Sequence, residues 1–215
     1  MNSRSITVLV DNESWITPYA MRLVDGLTER GFDAAFSESI ETVRPGWINF
    51  MLGCTKLVGE QVLQRNQHNL VVHESRLPQG RGFAPMTWQI LEGQSHIPVC
   101  LIEAVAAPDA GDIWIEDVIE LNGNELCAEW RARQGEKTLE MCLGFVDRYD
   151  ELVPRQQQGE PSWYPRRGPG DSRLDIDRSL REQFDLLRVV DNERYPAYFE
   201  IEGQIYTLQI HKAEG

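Results

Sequence analysis

Residues 69–88 read Asn69-Leu-Val-Val-His-Glu-Ser-Arg-Leu-Pro-Gln-Gly-Arg-Gly-Phe-Ala-Pro-Met-Thr-Trp88, and this segment is the most informative one about the fold. It begins with a short apolar run that ends at His73, as a buried strand does. The next part contains two glycines and two prolines, which predicts an irregular loop, and residues 86–91 are apolar enough to begin a buried helix. A strand that ends on a histidine before a glycine-rich loop is typical of the edge where open α/β sheets bind ligands.

The segments on either side alternate between strand-like and helix-like patterns. A β-branched run occupies residues 6–10, and an amphipathic helical pattern occupies residues 17–30. Further strand-like runs cover residues 32–36, 47–52, 70–73, 99–105 and 113–121, and helical patterns cover residues 57–64 and 136–149. This alternation predicts an α/β fold with a parallel sheet covered by helices.

The C-terminal third has a different composition. Residues 154–177 are rich in proline, glycine and glutamine, which predicts a loop. Asp177 is placed to cap a helix with Leu180 and Phe184 on its apolar face, and Glu202-Gly203 lies between two alternating strands, as a hairpin turn does. We therefore expect three parts, namely a main domain over residues 1–150, a linker or substrate loop over residues 151–177, and a helix and β-hairpin annex over residues 178–215.

Composition and charge exclude several classes of protein. The 215 residues are 41% hydrophobic, which is enough for a core, and 21 basic against 34 acidic residues give a net charge of -13. Such a charge repels phosphate backbones and anionic lipids, and every apolar run is shorter than the roughly 18 residues that span a bilayer. The four cysteines lack the C-x-x-C spacing of a zinc or redox site. We expect a cytoplasmic protein that holds no metal and binds neither nucleic acid nor membranes.

His73 and Asp109 are the candidate site residues. His73 ends a predicted strand, and Asp109 begins the sequence Asp109-Ala-Gly-Asp112 shortly after another one. The ends of parallel strands meet at one edge of a sheet, so both residues are expected near a ligand. The pattern alone also fits a different interpretation, in which His73 is a hydrogen-bonded core histidine and Asp109 is a turn residue.

Three motifs in a fixed order favour the functional interpretation. They are H-x-S-x-L-P at residues 73–78, R-G-x-x-P at residues 81–85 and D-x-G-D-I at residues 109–113. Together they resemble the folate-dependent formyltransferase family, which implies a Rossmann-like formyltransferase domain with a small C-terminal helix-plus-hairpin annex. Residues 164–171 and 187–199 are similar to segments of nucleotide-sugar N-formyltransferases, most of all to those of the pseudaminic acid pathway type.

The resemblance implies N10-formyltetrahydrofolate as formyl donor and the amine of a nucleotide-linked amino sugar as acceptor. It gives His73 the acid and oxyanion-stabilising role, with Asp109 as the residue that hydrogen-bonds His73 and accepts a proton. The charge of -13 and a length that leaves little room for the further β-barrel domain of tRNA-formylating enzymes argue against tRNA as the acceptor. By the same resemblance, the folate pocket would be lined by Gly53, Cys54, Thr55, Val105, Ala106, Ala107 and Pro108.

One position departs from the family pattern. The family has N-x-H at the strand end, whereas this chain has Val71 in place of the asparagine. Loss of an oxyanion donor typically costs about 10² to 10³ in rate. Asn12 is a hypothetical substitute if the first strand lies beside the strand that ends at His73, and the alternative interpretation is a loop asparagine that caps Ser14 or Trp15. Val71 also keeps open a formyltetrahydrofolate hydrolase, or a non-catalytic folate or sugar-nucleotide binding protein.

Several other residues are candidates for acceptor binding. Arg81 suits an acidic acceptor or a pyrophosphate, although a surface ion pair would explain it equally well. Trp15 suits stacking on a nucleobase, and the adjacent Arg166 and Arg167 suit the phosphates. The hairpin over residues 197–210 offers an edge strand through which a homodimer would form.

Overall fold

The computed structural model describes residues 4–213. Within them, the strands are β1 (Ser5–Leu9), β2 (Asp33–Ser37), β3 (Gly46–Met51), β4 (Asn66–His73), β5 (Arg81–Gly82), β6 (His96–Glu103), β7 (Ile113–Glu120), β8 (Trp163–Tyr164), β9 (Ala197–Ile201) and β10 (Gln204–Leu208). The α-helices are α1 (Thr17–Glu29), α2 (Glu60–Leu63), α3 (Pro85–Leu91), α4 (Cys127–Asp147) and α5 (Phe184–Val189). Short 3₁₀ turns occupy Ile40–Thr42, Tyr149–Glu151 and Pro169–Ser172.

The main sheet has the strand order β2-β1-β3-β4-β6-β7. Strands β2, β1, β3 and β4 are parallel, as the predicted α/β fold requires, whereas β6 departs from that expectation and runs antiparallel to both β4 and β7, so the sheet is mixed. The reason is the connection from β4 to β6. His73 pairs with Cys100, so β6 begins near the end of β4 and runs back along it. A parallel neighbour would need a crossover along the whole length of the sheet.

The hydrophobic core lies between this sheet and the helices α1 and α4. Leu23 and Leu27 of α1 and Phe145 of α4 are fully buried against strand residues such as Phe50. Burying an aliphatic or aromatic side chain of this size stabilises a fold by roughly 1.5–3 kcal/mol. Helix α4 begins at Cys127, well before the predicted start at residue 136, and the added turns include Gln134, whose side chain bonds Glu74 just after the end of β4.

The C-terminal part agrees only partly with the sequence pattern. The hairpin forms from β9 and β10, with Glu202 and Gly203 at positive φ in the turn. The helix expected to start at Asp177 instead starts at Phe184, because the side chain of Gln183 hydrogen-bonds the backbone N–H and C=O of Asp175. These bonds hold residues 175–183 as turns, and Leu180 is 65% exposed.

Residues 155–164 return along the segment that follows β4. Arg155 forms a backbone bridge with Ile113, and β8 pairs in parallel with β5 in a separate two-stranded ribbon. The side chain of Gln157 donates to the carbonyl oxygens of Asp109 (2.8 Å) and Gly111 (2.9 Å). This proline-rich segment therefore fixes the loops around the end of β4.

Within residues 4–213, no helix has the length and apolar character needed to cross a bilayer.

Candidate active site

A cleft of about 470 Å³ lies at the edge of the sheet where β3 and β4 end. This is the edge where the sequence pattern predicts a ligand site, because open α/β sheets bind ligands at the carboxyl ends of their strands. The cleft is lined by residues 51–58, 71–74, 82–85, 104–106, 108 and 109, together with Trp15, Ile16, Leu63, Ile102, Gln134, Thr138, Arg166 and Arg167.

His73 ends β4 and is 5% exposed. Its Nε2 atom lies 2.8 Å from the carbonyl oxygen of Gly80, and because a carbonyl can only accept, Nε2 carries the proton in this bond. The loop that follows is held in turn, since Ser162 accepts a hydrogen bond from the backbone N–H of Gly80 (2.9 Å). The ring of His73 is therefore fixed with its other nitrogen, Nδ1, directed toward Asp109.

Asp109 is held on the other side of this histidine. One carboxylate oxygen accepts a hydrogen bond from the backbone N–H of Gly82 (2.9 Å), and the other lies 3.7 Å from Nδ1 of His73. Asp109 has a φ of 53°, a left-handed conformation that its backbone bond with Gln157 helps to hold. The 3.7 Å separation is longer than a direct hydrogen bond, so the expected bond between Asp109 and His73 is not formed, and Nδ1 is available to a ligand group that approaches beside the carboxylate.

Gly82 explains why a glycine stands in the second motif. Its φ is 100°, and a Cβ atom at this position would lie 2.4 Å from the carbonyl oxygen of Tyr164. That oxygen accepts the backbone N–H of Phe83, so the pairing of β5 with β8 depends on the close approach at Gly82. The same glycine presents its N–H to Asp109.

The predicted folate pocket residues lie in the cleft, with one exception. Gly53, Cys54, Thr55, Val105, Ala106 and Pro108 line it, whereas Ala107 does not. Burial raises the pKa of the Cys54 thiol to about 12, so this cysteine contacts the cleft as a neutral group.

Asp11 shapes the loop on this side of the cleft. Its carboxylate accepts hydrogen bonds from the backbone N–H groups of Thr55 and Lys56, each at 2.9 Å. Burial opposes ionisation of Asp11, but the hydrogen bonds from Asn12, Thr55 and Lys56 outweigh it and lower its pKa. An ionised Asp11 therefore holds the loop that contains Gly53, Cys54 and Thr55.

The expectation that Asn12 lies beside His73 is wrong. Strand β3 separates β1 from β4, and the Asn12 amide donates to the carbonyl oxygen of Gly53 (2.8 Å) and to Asp11 (2.8 Å). Asn12 lines a separate depression near the end of β2. Asn69 is not a replacement either, because it is buried and donates to the carbonyl oxygen of Leu63 (2.8 Å).

The four candidate acceptor residues separate into two groups. Arg81 does not line the cleft; it donates to the side chain of Gln157 (2.5 Å) and lies over the ring of Trp163, so it supports the loops rather than facing a ligand. Trp15, Arg166 and Arg167 do line the cleft.

The two arginines lie on aromatic rings, Arg166 over Phe83 and Arg167 over Trp88, with 5.6 and 5.7 Å between the guanidinium carbon and the ring centre. We call Phe83, Trp88, Arg166 and Arg167 the basic rim. Burial lowers the pKa of Arg167, and its buried Nε has no hydrogen-bond partner among the residues that the structure describes.

Two cleft residues were missed by sequence reasoning. Glu74 follows His73 and is buried, and its carboxylate accepts a hydrogen bond from Gln134 of α4 (2.7 Å). The position of Glu74 directly after the histidine is the sequence feature that could have identified it. No sequence feature identifies Gln134, because this residue approaches the cleft only through the packing of α4 on the sheet.

The mixed α/β sheet, with the cleft at its carboxyl edge, has the Rossmann-like fold that solved formyltransferases share. A methionyl-tRNA formyltransferase from Clostridium thermocellum superposes with a TM-score of 0.82 at 18% identity, covering 98% of this chain and 94% of that one. A likely sugar N-formyltransferase from Mycobacterium tuberculosis gives 0.77 at 16% identity and 99% coverage of both chains. HypX from Aquifex aeolicus in complex with tetrahydrofolic acid gives 0.77 at 18% identity, covering 97% of this chain and 38% of that one.

Sequence comparison finds similarity to enzymes of the same class. The chain is 24% identical over 157 residues to methionyl-tRNA formyltransferase from a Sulfurihydrogenibium species, which covers 71% of this chain and 50% of the relative. It is 27% identical over 174 residues to the Thermus thermophilus enzyme of that name, covering 80% and 56%. The chain thus spans about half the length of these curated relatives. No family model matches it.

Proposed function

We propose that this protein is an N-formyltransferase that moves a formyl group from N10-formyltetrahydrofolate to the amine of a nucleotide-linked amino sugar. The observation that carries the proposal is the pair of His73 and Asp109, fixed 3.7 Å apart in a cleft at the carboxyl edge of the sheet. Its similarity to formyltransferases in sequence and fold supports the formyl-transfer chemistry and the folate donor.

The site has the groups that formyl transfer needs. The acceptor nitrogen attacks the formyl carbon, so negative charge develops on the formyl oxygen and a proton must reach N10 of the leaving folate. The Nδ1 atom of His73 faces Asp109 at 3.7 Å without a direct hydrogen bond, so the formyl oxygen would approach beside this pair. Because Nε2 already carries a proton, Nδ1 donates to that oxygen only when it carries a second one, and the resulting imidazolium would be stabilised by the Asp109 carboxylate, the neighbouring proton acceptor. With Val71 in place of an amide side chain, His73 carries the side-chain part of this stabilisation.

The remaining cleft surface suits a folate ring. On one side of His73 the lining is apolar, with Met51, Val71 and Ile102. Residues 53–55, 104–106 and 108 line the same cleft, and their backbone groups that lack partners are the candidates to bond the polar edge of a ring. A pterin is flat and carries donors and acceptors along its edge, so apolar side chains and backbone groups together match it.

The more specific part of the proposal is the identity of the formyl acceptor. The basic rim places two guanidinium groups and the ring of Phe83 at the cleft, with Trp88 behind Arg167, and Arg167 has an unpartnered Nε within the described residues. This suits a nucleotide diphosphate. The charge of -13 disfavours a polyanion as large as tRNA. The similarity of residues 187–199 to pseudaminic acid pathway enzymes favours a sugar of that type.

A mass-spectrometric assay tests the proposal. The protein is mixed with N10-formyltetrahydrofolate and a panel of UDP-linked and CMP-linked amino sugars, with His73→Ala and Asp109→Ala as controls. We expect a formyl mass gain on one sugar nucleotide that both substitutions abolish. If no member of the panel gains a formyl group while methionyl-tRNA does, the sugar acceptor is wrong.

Val71 supports one other function, hydrolysis of the folate donor. The amide of the N-x-H motif is replaced by an apolar side chain, and in this second function water takes the place of the amine as acceptor in the cleft. Formate release without an amine, equal in rate to release with the full panel, would favour a formyltetrahydrofolate hydrolase. Donor binding with neither formate release nor transfer would favour a non-catalytic binding protein.

A further inference from the structure

Glu74 lies on the side of the cleft that helix α4 forms. His73 is directed toward Asp109, whereas the carboxylate of Glu74 is directed toward α4, where Gln134 donates to Oε1 (2.7 Å). The two adjacent side chains thus leave the end of β4 in different directions, as alternating strand residues do. Glu74, Gln134 and Thr138 form what we call the α4 side of the cleft.

Glu74 is held in place by two glutamines. Its backbone carbonyl accepts a hydrogen bond from Gln89 of α3 (2.5 Å), and Gln89 is 5% exposed. Gln134 holds the carboxylate, and within residues 4–213 no other side chain hydrogen-bonds it. A buried carboxylate destabilises a fold unless its oxygens accept hydrogen bonds. The partners of the Glu74 carboxylate are Gln134 and its own backbone N–H, so its oxygens can accept further bonds from a ligand in the cleft.

The other charged groups of the cleft do not occupy this carboxylate. Asp109 accepts the N–H of Gly82 and faces Nδ1 of His73, the pair that the proposed function assigns to the reacting groups, and the cations that line the cleft are Lys56, Arg166 and Arg167. Glu74 is therefore the acidic side chain of the cleft lining outside that pair, and it is available to a cationic ligand group.

From this geometry we infer that Glu74 receives the ammonium group of the formyl acceptor and removes a proton from it, with Gln134 as the residue that positions the carboxylate. The inference rests on the proposed function. An amine arrives at neutral pH as R–NH₃⁺, and only R–NH₂ can attack a formyl carbon. A carboxylate beside the reacting centre both binds the cation and takes its proton.

Two protons leave the acceptor nitrogen during the reaction, and different residues handle them. R–NH₃⁺ gives one proton to Glu74, whose carboxyl group later releases it to solvent. The neutral nitrogen then forms the N–C bond to the formyl carbon and loses a second proton, which reaches N10 as the C–N10 bond breaks. The products are R–NH–CHO, tetrahydrofolate and one proton in solution. His73 and Asp109 serve the second transfer.

The surroundings of Glu74 make it a stronger base than an exposed glutamate. Burial raises the pKa of Glu74, and the negative charge of Asp109 acts in the same direction, while His73 and Gln134 oppose them. A carboxyl group with a raised pKa is closer in basicity to an amine, which favours proton transfer between them.

The main test compares Glu74→Gln with the wild type over a range of pH in the transfer assay. Glutamine keeps the size and the bond to Gln134 but cannot take a proton. We expect kcat/KM at pH 7 to fall by roughly 10², with the deficit shrinking as the pH approaches the pKa of the acceptor amine, because the amine then arrives neutral. Glu74→Asp should recover part of the loss. Glu60→Gln, an exposed glutamate of α2, serves as the matched control.

The failure of this inference is distinguishable from the failure of the proposed function. If wild type transfers formyl groups and His73→Ala does not, but Glu74→Gln keeps the wild-type rate and pH profile, the role of Glu74 is wrong and the transferase remains. A loss that is the same at every pH would also overturn it, because that would indicate a structural effect.

A second measurement does not depend on turnover. Protein labelled with ¹³C at the glutamate carboxyl carbon gives one resonance that Glu74→Gln removes, and this identifies Glu74. We expect it to titrate above the usual range of glutamate and to shift when methylammonium chloride is added. No shift with methylammonium, in protein that binds 5-formyltetrahydrofolate, would overturn the inference.

Discussion

The His73 side of the cleft and the basic rim differ in how completely their polar atoms are paired. Nε2 of His73, one oxygen of Asp109 and the backbone of Asp109 all have partners at 2.8–2.9 Å. In the basic rim, the guanidinium groups lie on aromatic rings, and the buried Nε of Arg167 lacks a partner within the described residues. The first surface is arranged in advance, which suits chemistry, whereas the second retains hydrogen-bonding capacity for a ligand.

The largest effect is expected at His73. Under the proposed function, His73→Ala removes the group that would donate to the formyl oxygen and that faces Asp109, so kcat/KM should fall by about 10³ or more. Binding of 5-formyltetrahydrofolate, measured by calorimetry, should change by less than about tenfold, because the apolar and backbone lining of the pocket is untouched. A variant that keeps a tenth of the wild-type activity would show that the paired side of the cleft is not the reacting centre.

A smaller loss of activity is expected for Gly82→Ala, because Gly82 both packs against Tyr164 and bonds Asp109. In Gly82→Ala the Cβ atom would lie 2.4 Å from the Tyr164 carbonyl oxygen, so β8 must move and the N–H that holds Asp109 moves with it. We expect unfolding free energy to fall by about 2–4 kcal/mol, with a loss of kcat of roughly tenfold or more.

Gly93→Ala is the matched control for Gly82. Gly93 has a φ of 79°, but a Cβ there meets no atom within 4 Å. It should cost only about 1 kcal/mol in denaturant unfolding, from backbone strain alone, and should leave kcat unchanged. Equal losses in the two variants would mean that the approach of Tyr164 to Gly82 has no part in holding Asp109.

The basic rim should affect binding rather than turnover. Arg167→Ala removes a charge-assisted contact worth about 1.5–3 kcal/mol, so we expect KM for a nucleotide-linked acceptor to rise roughly 10- to 100-fold with kcat within about threefold. Arg148→Ala, an exposed arginine after α4, is the control. A fall in kcat with unchanged KM would place Arg167 with the reacting groups and remove the contrast between the two surfaces.

Much of the sheet could be predicted from the sequence, because apolar β-branched runs determine strands locally. The strand order could not, and this is why Asn12 was assigned to the wrong neighbour: β3 lies between β1 and β4. The helix expected at Asp177 failed for a similar reason, since the bonds of Gln183 to the backbone of Asp175 outweigh the helical pattern. Local patterns carry no information about such competing contacts.

The candidate site also contains residues that the sequence identifies and residues that only the fold reveals. His73 and Asp109 belong to motifs whose order along the chain already resembled a known family, so both could be named without coordinates. Glu74 acquires its environment from Gln134, sixty positions further along the chain. No short motif includes both residues, and the α4 side of the cleft emerges only when the helix packs on the sheet.

The smallest expected effect concerns stability and extends the comparison to the α4 side. Because burial raises the pKa of Glu74, folding favours the protonated carboxyl, and the stability from this group is present at acid pH and lost as pH rises through the folded-state pKa. Glu74→Gln should therefore match wild type near pH 4 and be more stable above pH 7, by less than about 2 kcal/mol. Urea unfolding at several pH values measures this difference. A variant that is less stable than wild type at every pH would show that the ionised carboxylate stabilises the fold. In that case the α4 side would resemble the hydrogen-bonded His73 side of the cleft rather than the basic rim.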